Sequence, residues 1–117
     1  FIQYTHARIR SLERKAQQME WIDKGIALPG EEEVALLSLL DQYGEQRLQA
    51  AEQYNPAMVA NYVYELTKHY NSWYQTHSVL KNDDEKLSRM RLQLSGVVAG
   101  RIAESMKLLG IDCPDRM

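Results

Sequence analysis

Apolar residues recur at intervals of three, four and seven along nearly the whole chain, and no alternation of period two lasts long enough to make a strand. That property restricts the fold to packed helices. Ile2, Ile9, Leu12, Ala16, Met19 and Ile22 form one stripe on a helix expected to run to about Lys24, with Gly25 placed to end it. Leu28-Pro29-Gly30 is a turn, and Glu31-Glu32-Glu33 after it suits the positive end of a second helix that carries Val34, Leu37 and Leu40 inward. Gly44 is expected to break that helix, with a short amphipathic piece bearing Leu48 and Ala51 continuing to Tyr54. Asn55-Pro56 then reads as an N-cap followed by proline at the first helical position, opening a helix to about His77. After the polar loop Lys81-Asn82-Asp83-Asp84, a last helix runs through Leu87, Met90, Leu94, Val97 or Val98, Ile102, Met106 and Leu109 to a stop at Gly110. The expected fold is all-α, a bundle of four to five helices, with residues 1–117 as one domain.

A chain of 117 residues, 44% of them hydrophobic, is long enough for one core without a disulfide or a structural metal. Cys113 is the single cysteine, which fits a reducing, cytoplasmic setting. There is no signal pattern and no apolar run of membrane-spanning length, so no membrane partner is expected. The opening Phe1-Ile2-Gln3-Tyr4 reads as a piece of something longer. A net charge of -2 does not advertise a nucleic-acid binder, but it averages a basic first segment (Arg8, Arg10, Arg14, Lys15), a basic last one and acids between them. Packing the first helix on the last would concentrate the basic groups, although ordinary solvated faces explain the same pattern.

Chemistry is hard to find. No phosphate-binding glycine loop, HExxH or GxSxG element occurs, so the sequence offers no catalytic residue. His6, His69 and His77 have no carboxylate or cysteine partner at metal spacing and read as packed or surface side chains. What the sequence does offer is a means of binding. Tyr4 and Arg8 stand one turn apart on one helix face, and an aromatic plane beside a guanidinium can stack an unpaired base and hold its phosphate or edge. Five aromatics, Tyr62, Tyr64, Tyr70, Trp73 and Tyr74, crowd the third long helix.

Three stretches carry a resemblance. They are Tyr4-x-His6-Ala7-Arg8, then Pro56 with Tyr62, Leu66, Asn71, Tyr74 and Val79-Leu80, then Leu108-Leu109-Gly110-Ile111 closing on Pro114-Asp115-Arg116-Met117. In this order, over nearly the whole chain, they resemble the C-terminal anticodon-binding (DALR) domain of arginyl-tRNA synthetases. The Asp-Ala-Leu-Arg letters of that name are absent; Glu85-Lys86-Leu87-Ser88-Arg89 stands nearest. The resemblance implies a recognition domain for the anticodon loop of tRNA(Arg), working beside a catalytic domain of the same polypeptide that uses ATP and magnesium. No cofactor is expected on these residues themselves.

It further implies that Tyr4, Arg8 and Met117 lie against the anticodon loop, and that Lys81 supplies another contact. Asn71 and Tyr74 either touch a base or form an internal tyrosine–asparagine pair. Arg89 and Arg91 are phosphate candidates, with an Arg89–Glu85 surface bridge as the alternative for the first. Trp21 and Trp73 are expected in the core. Two other readings share the helical pattern: a protein-interaction module docking a partner helix, and the anticodon domain of another synthetase, such as the glycyl or cysteinyl enzyme.

Overall fold

The protein is described from a computed structural model, which covers residues 1–21 and 25–116. Ile22, Lys24 and Met117 therefore lie outside the described residues. Among the described residues there are five α-helices and no strand: α1 (Ile2–Gln17), α2 (Val34–Asp41), α3 (Tyr43–Glu52), α4 (Pro56–Thr76) and α5 (Glu85–Leu108). α5 packs against both α1 and α4, while α2 and α3 lie on α4. The all-α bundle expected from periodicity is the one observed.

The two long helices begin and end where their capping chemistry dictates. The Asn55 side chain accepts from Ala57 N–H at 3.1 Å with Pro56 in the first turn, and Asp84 does the same for Lys86 N–H at 2.9 Å. At the far end of α5, Gly110 adopts φ 78°, which lets Ile111 N–H reach Met106 O and Gly110 N–H reach Lys107 O, both at 2.9 Å. This is a Schellman stop, and it turns the chain back toward α1. Leu108 to Ile111 is thus a structural signal.

α4 buries Val59, Tyr62, Val63, Leu66, Tyr70 and Trp73 along one side, meeting Leu94, Val98, Ile102 and Met106 of α5. α5 comes close to α1 at Gly96, where a β-carbon would stand 3.1 Å from the Glu13 carboxylate, and the small residues Ser95 and Ala99 beside it are fully buried. Val98, at 0% exposure, is the inward member of the valine pair, and Val97 faces out. Two tyrosine hydroxyls of α4 find partners inside the bundle, whereas the buried hydroxyls of Tyr43 and Ser105 have none among the described residues. Tyr62 donates to Leu39 O at 2.6 Å and Tyr70 to Ser95 Oγ at 2.9 Å, and burial pushes both phenols up to about 12.

Four expectations need correction. α1 ends at Gln17, seven residues short of Lys24, because Gln18 and Met19 close tight turns onto Lys15 O and Ala16 O and Met19 finds no core to enter. In α2 Leu37 and Leu40 pack partly buried against the core as expected, but Leu36 is the fully buried residue and Val34 is exposed, since a 3-10 turn over Glu31–Glu33 sets the register and draws Glu33 inside. Glu33, 1% exposed, is therefore no surface complement to a helix dipole. In α3 Tyr43 and Ala50 face the core while Leu48 and Ala51 face out, and the break precedes Tyr43 instead of falling at Gly44. Trp73 is in the core as expected, but Trp21 is half-buried under the guanidinium of Arg89.

Candidate nucleic-acid interface

Turning at about 100° per residue, α1 divides its circumference among three tasks. Ile2, Thr5, Ile9 and Leu12 face the bundle. Gln3, His6 and Arg14 fall on a second stripe, and each holds a backbone carbonyl of the chain that follows α5. Gln3 Nε2 donates to Asp112 O at 2.8 Å, His6 Nδ1 meets Pro114 O at 3.0 Å and an Arg14 NH1 group donates to Asp115 O at 3.2 Å. Tyr4, Ala7, Arg8, Ser11 and Lys15 occupy the third stripe. Between it, α4 and the returning tail lies an open cleft of about 520 Å³.

The cleft is cationic and aromatic. Arg8, Arg14, Lys15 and Arg116 line it together with Tyr4 and Tyr74, and among the described residues no carboxylate does. Arg8 sits 5.0 Å from the Tyr4 ring centre and 4.9 Å from that of Tyr74. Beneath it, Asn71 Oδ1 accepts from Arg8 at 3.1 Å, while its amide nitrogen donates to Thr67 O at 3.1 Å and to Thr5 Oγ1 at 2.8 Å. Because Thr67 O can only accept, the amide has one admissible orientation, with its oxygen toward the guanidinium. Tyr74 in turn rests on Tyr70, ring centres 6.0 Å apart. Arg8 is thus held by a neutral amide and two rings, and among the described residues no carboxylate pairs with it. Tyr4, 53% exposed, presents ring surface to solvent.

Of the sequence candidates, Tyr4, Arg8, Asn71 and Tyr74 come together here. The internal tyrosine–asparagine pair is not formed: the amide serves Arg8 and Thr5, and the tyrosine carries Arg8 over its ring. Among the described residues, the remaining candidates Lys81, Arg89 and Arg91 lie apart from the cleft. Lys81 is exposed on the α4–α5 loop, which Asn82 stiffens by donating to Ser78 O at 2.8 Å and to Ser88 Oγ at 3.1 Å. Arg89 stacks on Trp21, 5.0 Å from the ring centre, in a separate hollow with Met19 and Leu92. Arg91 is a correction, because it is only 9% exposed, donates to Ser78 O at 3.0 Å and lies 4.0 Å from the Glu33 carboxylate. A guanidinium so enclosed cannot meet phosphate.

The sequence reading passed over four polar cleft residues, Ser11, Arg14, Lys15 and Arg116, as site members. Ser11 and Lys15 continue the spacing of Tyr4 and Arg8 by three and four, so the helical period alone could have found them. Arg116 could not be placed that way, since only the folded tail brings it in. The histidines read as packed or surface groups are so: His6 is buried, His77 stacks on Trp73 at 5.7 Å and His69 lies 3.9 Å from Glu65.

A family model described as the DALR anticodon binding domain matches residues 2–117. The chain is 44% identical over 122 residues to the arginine–tRNA ligase of Porphyromonas gingivalis, an alignment covering 100% of this chain and 20% of that protein. With the arginine–tRNA ligase of Flavobacterium psychrophilum it shares 45% identity over 118 residues, or 100% of this chain and 19% of that one. Among solved structures, Thermus thermophilus arginyl-tRNA synthetase matches with a TM-score of 0.86 at 32% identity, over 99% of this chain and 20% of that chain. The chain therefore spans about a fifth of the length of the curated relatives it matches. Matched from its second residue to its last, and alike in both sequence and fold, the chain belongs to the DALR anticodon-binding domain family.

Proposed function

We propose that this chain is the recognition end of an arginine–tRNA ligase, and that the cleft between α1, α4 and the tail receives unstacked nucleotides of the anticodon loop of tRNA(Arg). The observation that carries the reading is the stack of Tyr4, Arg8 and Tyr74 in a cleft lined, among the described residues, by four cations and no carboxylate. An RNA loop offers what such a cleft lacks: flat bases to lie on Tyr4, and phosphates to neutralise Arg8, Arg14, Lys15 and Arg116.

Each side chain then has a distinct task. Tyr4 is the stacking surface, Arg8 addresses a phosphate or base edge, and Asn71 and Tyr74 hold Arg8 in place. Met117, next in sequence to Arg116, is assigned to the same end of the cleft, and Lys81 to a flanking contact. Arg89, stacked on Trp21, serves at most as a peripheral phosphate contact. Activation of arginine with ATP and magnesium belongs, on this reading, to the part of the enzyme outside this chain. That enzyme is expected in the cytoplasm; no described helix is long and apolar enough to cross a membrane.

The test is a titration of the complete ligase with tRNA(Arg) and with the same tRNA made abasic at single anticodon positions. Loss of the base that stacks on Tyr4 should weaken binding by about 1–3 kcal/mol, and that loss should vanish when Tyr4 is replaced by alanine. Equal sensitivity to the anticodon with and without Tyr4 would remove the cleft from recognition.

A further inference from the structure

We infer that His6 is a positioning residue: it docks the C-terminal tail on α1, and the docked tail completes the cleft by bringing Arg116 to it. The inference rests on the reading of the cleft given above. Gly110 turns the chain back after α5, and residues 112–115 then run alongside α1 in the direction of its own axis, meeting Gln3, then His6, then Arg14. All the bonds go to backbone carbonyls, so α1 reads the path of the tail and leaves its side chains available. Arg116, directly after the last clamped carbonyl, lines the cleft with Tyr4 and Arg8.

His6 is the central bond of the clamp. Pro114 O can only accept, so Nδ1 of His6 must carry the proton in this contact. The ring is 3% exposed with the tail in place, whereas Gln3 and Arg14 bond at the surface. Proline at 114 has no N–H of its own to satisfy. Cys113, beside the bond, packs partly buried against the core, and burial raises its thiol pKa. Tail docking therefore hides a natural reporter.

The complete ligase is treated with iodoacetamide, and labelling of the Cys113 peptide is followed by mass spectrometry beside tRNA(Arg) binding. His6→Ala should speed Cys113 labelling and weaken tRNA binding, each by about tenfold, the worth of one part-buried hydrogen bond. His6→Asn, whose amide can donate from near the Nδ1 position, should recover most of both. In an enzyme truncated after Ile111, tRNA binding should fall as in His6→Ala, and adding His6→Ala should change it no further. Gln3→Ala guards against misfolding, because its bond lies at the surface, and it should speed labelling by a smaller factor. Unchanged labelling in both His6→Ala and Gln3→Ala overturns the clamp. Faster labelling with unchanged tRNA binding overturns the tail's part in the cleft; Tyr4→Ala then decides whether the cleft reading survives, by losing tRNA binding, or fails as well.

Discussion

Arg8 and Arg91 lie over neighbouring rings of the same helix, Arg8 over Tyr74 at 4.9 Å and Arg91 over Trp73 at 5.9 Å, yet they are used in opposite ways. Arg91 is enclosed, with the buried Glu33 carboxylate beside it and Ser78 O as acceptor. It ties the 3-10 turn before α2 to the loop after α4. Arg8 is only half-buried, and its hydrogen-bond partner is the uncharged amide of Asn71. The difference teaches how one side-chain type becomes either a strut or a receptor. A guanidinium beside a carboxylate has spent its charge inside the fold, whereas one held by an amide and two rings is oriented with its charge intact.

The comparison breaks most visibly at Arg91. Arg91→Met should destabilise the fold by about 3 kcal/mol or more, because it leaves Glu33 buried without a cation, and thermal unfolding would register this as a lowered midpoint. Binding of tRNA by the folded fraction should be unaltered. Arg8→Met should do the reverse, with about 1.5–3 kcal/mol lost from tRNA binding and less than about 1 kcal/mol from stability. Similar stability losses in the two variants would erase the distinction.

Arg14→Gln sharpens the electrostatic half of the argument. If Arg14 meets one phosphate, the slope of log binding constant against log salt should flatten by about 0.7. An identical slope would confine Arg14 to holding Asp115 O. The smallest effect concerns Tyr70, which supports Tyr74 and thereby Arg8. Burial raises its phenol from 10.0 to about 12, so the folded state favours the protonated form. That contribution is complete below pH 10 and is lost as the pH climbs toward 12. Denaturant midpoints should fall over this interval, and Tyr70→Phe should reduce the fall while leaving neutral-pH behaviour to packing and the lost bond to Ser95.

How much of this could be read beforehand depended on where each interaction is encoded. The ends of α4 and α5 were legible because Asn55-Pro56, Asp84 and Gly110 act on their own neighbours. Tyr4 and Arg8 were legible for the same reason, being one turn apart. α2 and α3 were not, because eight- and ten-residue helices take their register from what they pack on, here a buried Glu33 and a Tyr43–Tyr62 contact. Asn71 touches residues more than sixty positions away, and the tail clamp bonds to carbonyls that every residue possesses. Neither leaves a mark on local sequence. Arg91 misled for the complementary reason: a basic residue in a basic segment looks exposed until its distant carboxylate is seen.

The central claim is that Tyr4 is a surface for an RNA base and takes no part in holding the fold together. Its most direct test is the affinity of the complete ligase for tRNA(Arg) with Tyr4→Ala, measured beside the thermal midpoint of the same variant. The account predicts a loss of roughly 1–3 kcal/mol in binding with stability changed by less than about 0.5 kcal/mol. Unchanged binding in a folded Tyr4→Ala enzyme would contradict it.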